Sequence, residues 1–99
     1  MIETRKDETV TVVLRGRLDS MNADEAKSEV EKVLAALDRD VLIDVGELDY
    51  ISSAGLQVVL KCAKTARERG FECLLRGARG TVREIFEVSG FLTFLKEAP

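Results

Sequence analysis

Two adjacent hydroxyls, Ser52 and Ser53, stand where the apolar stretch Val41-Leu42-Ile43-Asp44-Val45 gives way to Leu56, Val59, Leu60 and Ala63 at helical spacing. A serine at such a boundary is suited to two kinds of chemistry. As the N-cap, a place either serine could fill, its oxygen accepts a hydrogen bond from a first-turn N–H group that has no partner inside the helix. As an exposed alcohol it can take a phosphoryl group, and the unpaired N–H groups and positive end of the helix dipole favour the negative charge that results. A phosphate on Ser53 would therefore be tolerated by the fold and act outward, on whatever docks there. The neighbours are polar: Glu47, Asp49 and Tyr50 precede the serines, and Asp19 and Ser20 follow an earlier strand-like run. Hydroxyls beside exposed carboxylates make a recognition surface rather than a catalytic centre.

The rest of the composition narrows the chemistry further. The chain has no histidine, which removes the commonest general base, the commonest metal ligand and any phosphohistidine relay. No catalytic residue is assigned, and the protein is expected to be no enzyme. Cys62 and Cys73 lack the spacing and extra ligands of a zinc site and are expected as reduced, partly buried thiols; neither metal nor cofactor is expected. Gly77-Ala78-Arg79-Gly80 lacks the lysine and the spacing of a P-loop. The net charge of −3, from 15 basic and 18 acidic residues in mixed order, offers no basic cluster for a nucleic-acid backbone. No apolar run approaches the roughly 20 residues that span a bilayer, and no signal-type h-region follows Met1. A cytoplasmic protein without membrane contact is expected.

Ninety-nine residues, 45% hydrophobic and 33% charged, are expected to form a single α/β domain over residues 1–99. A weak strand over 2–5 and a turn over 6–8 precede a strand over 9–15. Ala23, Ala26, Val30, Val33, Leu34 and Leu37 mark a first helix, with Asp19, Ser20 or Asn22 as its cap. A strand over 41–45 and the motif helix over 54–69 follow, the latter ended by Gly70 as C′ residue. A strand over 71–76, a helix over 81–88 ended near Gly90, and a strand over 91–95 complete the order β-β-α-β-α-β-α-β. Phe86, Phe91 and Phe94 are expected in the core. Strand-helix-strand steps impose parallel neighbours, so the sheet is expected to be mixed and mostly parallel, with three to four helices on it and one face exposed or used for association. Loops over 16–21 and 46–53 then meet beyond the carboxyl ends of the strands, where sites in such sheets collect. Lys61, Lys64, Arg67 and Arg69 read as a solvated helix face, or else as a basic docking patch.

Three segments together resemble the STAS domain of bacterial anti-sigma factor antagonists: Gly16-Arg17-Leu18-Asp19 before the first helix, residues 41–44 leading into Tyr50-Ile51-Ser52-Ser53-Ala54-Gly55-Leu56, and Ile85-Phe86-Glu87-Val88-Ser89-Gly90-Phe91. The resemblance spans essentially the whole chain. It implies a partner-switching regulator of transcription that binds an anti-sigma factor, itself a serine kinase, and so frees a sigma factor. Phosphorylation would break the complex and a serine phosphatase would reset it. It places the phosphoacceptor at Ser53, with Ser52 as second choice, and the kinase contacts at Asp19, Ser20, Asp49, Tyr50, Ser52, Ser53, Gly55 and Leu56. Two positions depart from the best-known motif: Ser52 stands where an aspartate is common, and Ala54 where a serine or threonine often stands. The alternative is a constitutive scaffold or transport-associated STAS module without phosphorylation.

Overall fold

A computed structural model describes residues 2–93 and 95–98. Five strands form one sheet in the order β1 (Ile2–Lys6), β2 (Val10–Leu18), β3 (Val41–Ile51), β4 (Cys73–Arg76) and β5 (Lys96–Glu97). β1 pairs antiparallel with β2, and the later pairs are parallel. The connections carry α1 (Ala23–Ala35), α2 (Ser53–Glu68) and α3 (Gly80–Val88). The mixed, mostly parallel sheet and the order of elements agree with the sequence.

One core cluster takes alternate strand residues, Val10 and Val12 on β2 and Val41, Ile43 and Val45 on β3, together with Val30 and Leu34 of α1, Val59 and Cys62 of α2 and Phe86 of α3. Their neighbours Val13 and Leu42 are also buried but lie outside that cluster. They belong to the opposite face, where charged side chains pair across strands: Glu3 with Arg15 at 2.7 Å and Asp44 with Arg76 at 3.0 Å. That face, expected to be exposed or used for association, carries these ion pairs.

β2 and β3 run well past the expected ends. The sequence places breaks at Gly16 and Gly46, but both lie inside strands, beside two bulges of β3. The register slips between Val13/Asp44 and Arg15/Glu47, and again between Gly16/Leu48 and Arg17/Tyr50, before Leu18 meets Ile51. Both extra residues lie on β3, and pairing resumes after each, so Gly16 to Leu18 and Gly46 to Ile51 are strand rather than loop. Gly16 takes φ +74°, a conformation that glycine adopts without strain.

The C-terminal apolar run also differs from its expected strand. Phe91–Thr93 is a 3₁₀ turn, with the Leu95 N–H bonded to the Phe91 carbonyl at 3.0 Å, and pairing begins only at Lys96. The cause is the core: Phe91 packs on Phe86 with ring centroids 6.1 Å apart, filling space beneath α3 instead of extending the sheet. Phe94 lies outside the described residues. α2 ends as expected at Gly70: its N–H reaches the Arg67 carbonyl and the Phe71 N–H reaches that of Ala66, a Schellman motif. This closure delays β4 to Cys73. Cys62 and Cys73 are both buried as free thiols, and hydrogen bonding between them, with burial, pushes the Cys73 pKa far up.

Candidate functional site

Two chain exits define the site. Leu18 and Ile51 are register partners at the ends of β2 and β3, and the Ser52 N–H donates to the Leu18 carbonyl at 2.9 Å. Asp19 and Ser52 are therefore the first residues out of two adjacent strands, at the carboxyl edge.

The structure separates the two serines. Ser52 is the N-cap of α2: its backbone is extended and its hydroxyl oxygen accepts from the Gly55 N–H at 3.3 Å. Ser53 is the first helical residue, is exposed, and its hydroxyl makes no hydrogen bond among the described residues. One hydroxyl terminates the helix, and the other faces solvent beside the open N–H groups of the first turn.

Gly55 explains why the helix can start so close to the sheet. A Cβ there would stand 2.8 Å from the Leu18 carbonyl oxygen and 2.8 Å from Ile51 Cγ1. A backbone oxygen cannot swing away, so only glycine fits this approach. Leu56, half-buried, packs against the core cluster, so of the expected contacts Gly55 and Leu56 form the seat rather than the outer surface.

The loop from Asp19 to Asn22 is held by its own side chains. Asp19 Oδ1 accepts from the Met21 N–H at 3.0 Å, an Asx-type turn. Asn22 Oδ1 accepts from the Asp19 N–H at 2.9 Å, while its amide donates to the Arg17 carbonyl at 2.7 Å. Asn22 is the N-cap of α1 by position but makes no side-chain cap bond, because that side chain is engaged behind it. Asp19 thus has a structural duty in one carboxylate oxygen and an electrostatic one in the other, 3.5 Å from Arg17 Nε.

Arg17 links the expected residues in a way the sequence did not reveal. Its guanidinium lies 4.4 Å from the Tyr50 ring centre, a cation–π contact, while pairing with Asp19. Only the register Arg17↔Tyr50, which follows the second bulge, brings the two side by side. Asp49 and Ser20 are exposed nearby on the strand end and the loop, and Met21 is 94% exposed at the loop's tip. The set is a rim of mixed charge and hydroxyls around a glycine-sealed seat. Among the described residues no cluster of three or more metal-ligating side chains occurs, and no helix is long and apolar enough to cross a membrane.

Comparison with known proteins gives this geometry a family. A model described as MlaB, STAS domain, matches residues 1–96. The chain is 41% identical over 92 residues to a Bordetella bronchiseptica protein provisionally named as the anti-sigma factor antagonist BtrV, covering 93% of this chain and 79% of that one. It is 27% identical over 89 residues to the anti-sigma-B factor antagonist of Listeria monocytogenes, covering 90% and 78%. The fold superposes on the Bacillus cell fate determinant SpoIIAA in its phosphorylated form with a TM-score of 0.74 at 21% identity, over 100% of this chain and 90% of the other. The protein belongs to the anti-sigma factor antagonist family of STAS domains.

Proposed function

We propose that this protein binds an anti-sigma factor that is also a serine kinase, thereby releasing a sigma factor, and that phosphorylation of Ser53 by that kinase switches it off until a serine phosphatase resets it. The observation that carries the reading is the division of labour between the serines. Ser52 is committed to the cap, whereas Ser53 presents an unengaged hydroxyl at the first position of α2. A phosphate there adds about −1.5 to −2 charges at the helix end that best tolerates them, so the fold survives while the docking surface gains negative charge. That the similar fold of SpoIIAA is known in a phosphorylated form supports the same chemistry here.

Ser52 in place of the motif's usual aspartate is compatible with this role. Serine and aspartate are about equally good N-caps, so the substitution keeps the bond to the Gly55 N–H and leaves Ser53 at the first helical position. Asp19, Ser20, Asp49 and Tyr50 supply the rim that the kinase contacts, with Ser52, Gly55 and Leu56 beneath it. Exchange of the Arg17–Asp19 pair for a cation of the partner would couple Asp19 to binding without loss of its turn bond.

Calorimetry with the cognate kinase-type anti-sigma factor tests the switch. Ser53→Asp should bind at least about tenfold more weakly than wild type, a change of about 1.4 kcal/mol, whereas Ser53→Ala should bind like wild type. Equal affinity for Ser53→Asp and wild type would replace the switch with a constitutive binding module.

A further inference from the structure

The six lysines of the chain divide into two sets. Lys6, Lys32 and Lys96 pair with Asp38, Glu29 and Glu72. Lys27, Lys61 and Lys64 have no ion-pair partner among the described residues, and all three line one groove between α1 and α2. That groove has a volume of about 390 Å³, and Ala23, Ala54, Val58 and Leu60 give it an apolar lining. Among the described residues that line it, Asp24 is the only acidic one. An acidic chain that leaves its unpaired lysines along one apolar cleft has a surface of opposite sign to most of itself.

The face of α2 that lines the groove also carries Ser53. Gln57, another lining residue, stands four positions on from Ser53, and Lys61 four further; residues four apart lie on one helix face. We propose that the α1–α2 groove docks an acidic amphipathic helix of a protein partner, its apolar side on the half-buried Ala54 and Leu60 and its carboxylates on Lys27, Lys61 and Lys64. An apolar cleft between two helices accepts the apolar stripe of a third, and the lysines select the acidic flank. The partner's identity as the anti-sigma factor rests on the function proposed above. Phosphate on Ser53 then repels that flank from one end of its own groove, which ties docking to the switch.

Titration of the isotope-labelled full chain by NMR tests this, with a synthetic amphipathic peptide carrying leucines on one face and flanking glutamates as probe. Saturable shift changes confined to the lining residues of α1 and α2 are expected, with none from a peptide bearing lysines in place of the glutamates. Lys61→Glu/Lys64→Glu should weaken the acidic peptide at least about tenfold and gain binding to the basic one. Equal binding of both peptides to wild type, changes outside the groove, or no saturable change would overturn the proposal, even if the double variant failed to fold. Shifts of the lining residues with anionic vesicles but not with the peptide would assign the groove to a membrane surface and overturn it too. Groove-confined discrimination by wild type that fails to bind the anti-sigma factor would uphold the groove while the functional reading falls.

Discussion

The seat beneath the serine motif and the rim around it lie within a few residues of each other yet are built by opposite rules. In the seat, Leu18, Ile51 and Gly55 are buried with no space to spare: an added Cβ on Gly55 meets backbone oxygen at 2.8 Å. On the rim, Ser53, Ser20, Asp49 and Met21 are exposed, and Arg17 reaches both Asp19 and Tyr50 without being enclosed by either. Substitutions in the first region should register as stability and in the second as binding. A hydroxyl can therefore be modified here without cost to the core, because the neighbouring serine holds the helix start.

The sharpest way to break this division is Gly55→Ala. The clash with the Leu18 carbonyl should cost about 1–3 kcal/mol, read as a lowered midpoint in denaturant unfolding. A variant as stable as wild type would show that the approach of α2 to the sheet is not tight. Ser52→Ala comes next, with a loss of about 1 kcal/mol from the missing cap, while Ser52→Asp should restore it; failure of aspartate to restore stability would mean that capping is not what Ser52 contributes. Ser53→Ala should change stability by less than about 0.5 kcal/mol, as expected of an exposed residue without partners.

A smaller effect comes from the brace of the Gly46 bulge, which orients the end of β3. Asp44 accepts from the Gly46 N–H at 2.9 Å and pairs with Arg76, while Arg79 donates to the Gly46 carbonyl at 2.9 Å. Burial pushes the Asp44 pKa up, but the Gly46 N–H and the Arg76 guanidinium outweigh it and hold it below the ordinary carboxylate value. A carboxyl lowered on folding binds fewer protons in the folded state, so its contribution to stability is present above the ordinary value of about 3.9 and is lost as pH falls through the lowered one. Asp44→Asn should be less stable than wild type at neutral pH, with the gap closing in acid. A gap independent of pH would rule out the charge as its source.

The serine motif and the helix ends were legible because they depend on local chemistry: Ser52 caps, Gly70 takes a positive φ, and the residue types announce both. What was hidden depends on pairing. Gly16 and Gly46 look like strand breaks singly, and only the pairing of β2 with β3 carries both strands past them through two bulges of β3. Arg17 and Tyr50 are brought together by that same slip. Phe91 has the composition of a strand but is drawn to Phe86 in the core. Lys61 and Lys64 suggested a solvated face or a docking patch, and only the packing of α1 on α2 adds Lys27 across a shared groove.

Intact-mass measurement with site mapping, after incubation with the kinase-type anti-sigma factor and ATP, decides whether Ser53 is the switch. One phosphate is expected on wild type and on Ser52→Ala, located at Ser53, and none on Ser53→Ala. Phosphate on Ser53→Ala, or a wild type that stays unmodified while binding the kinase, would contradict it.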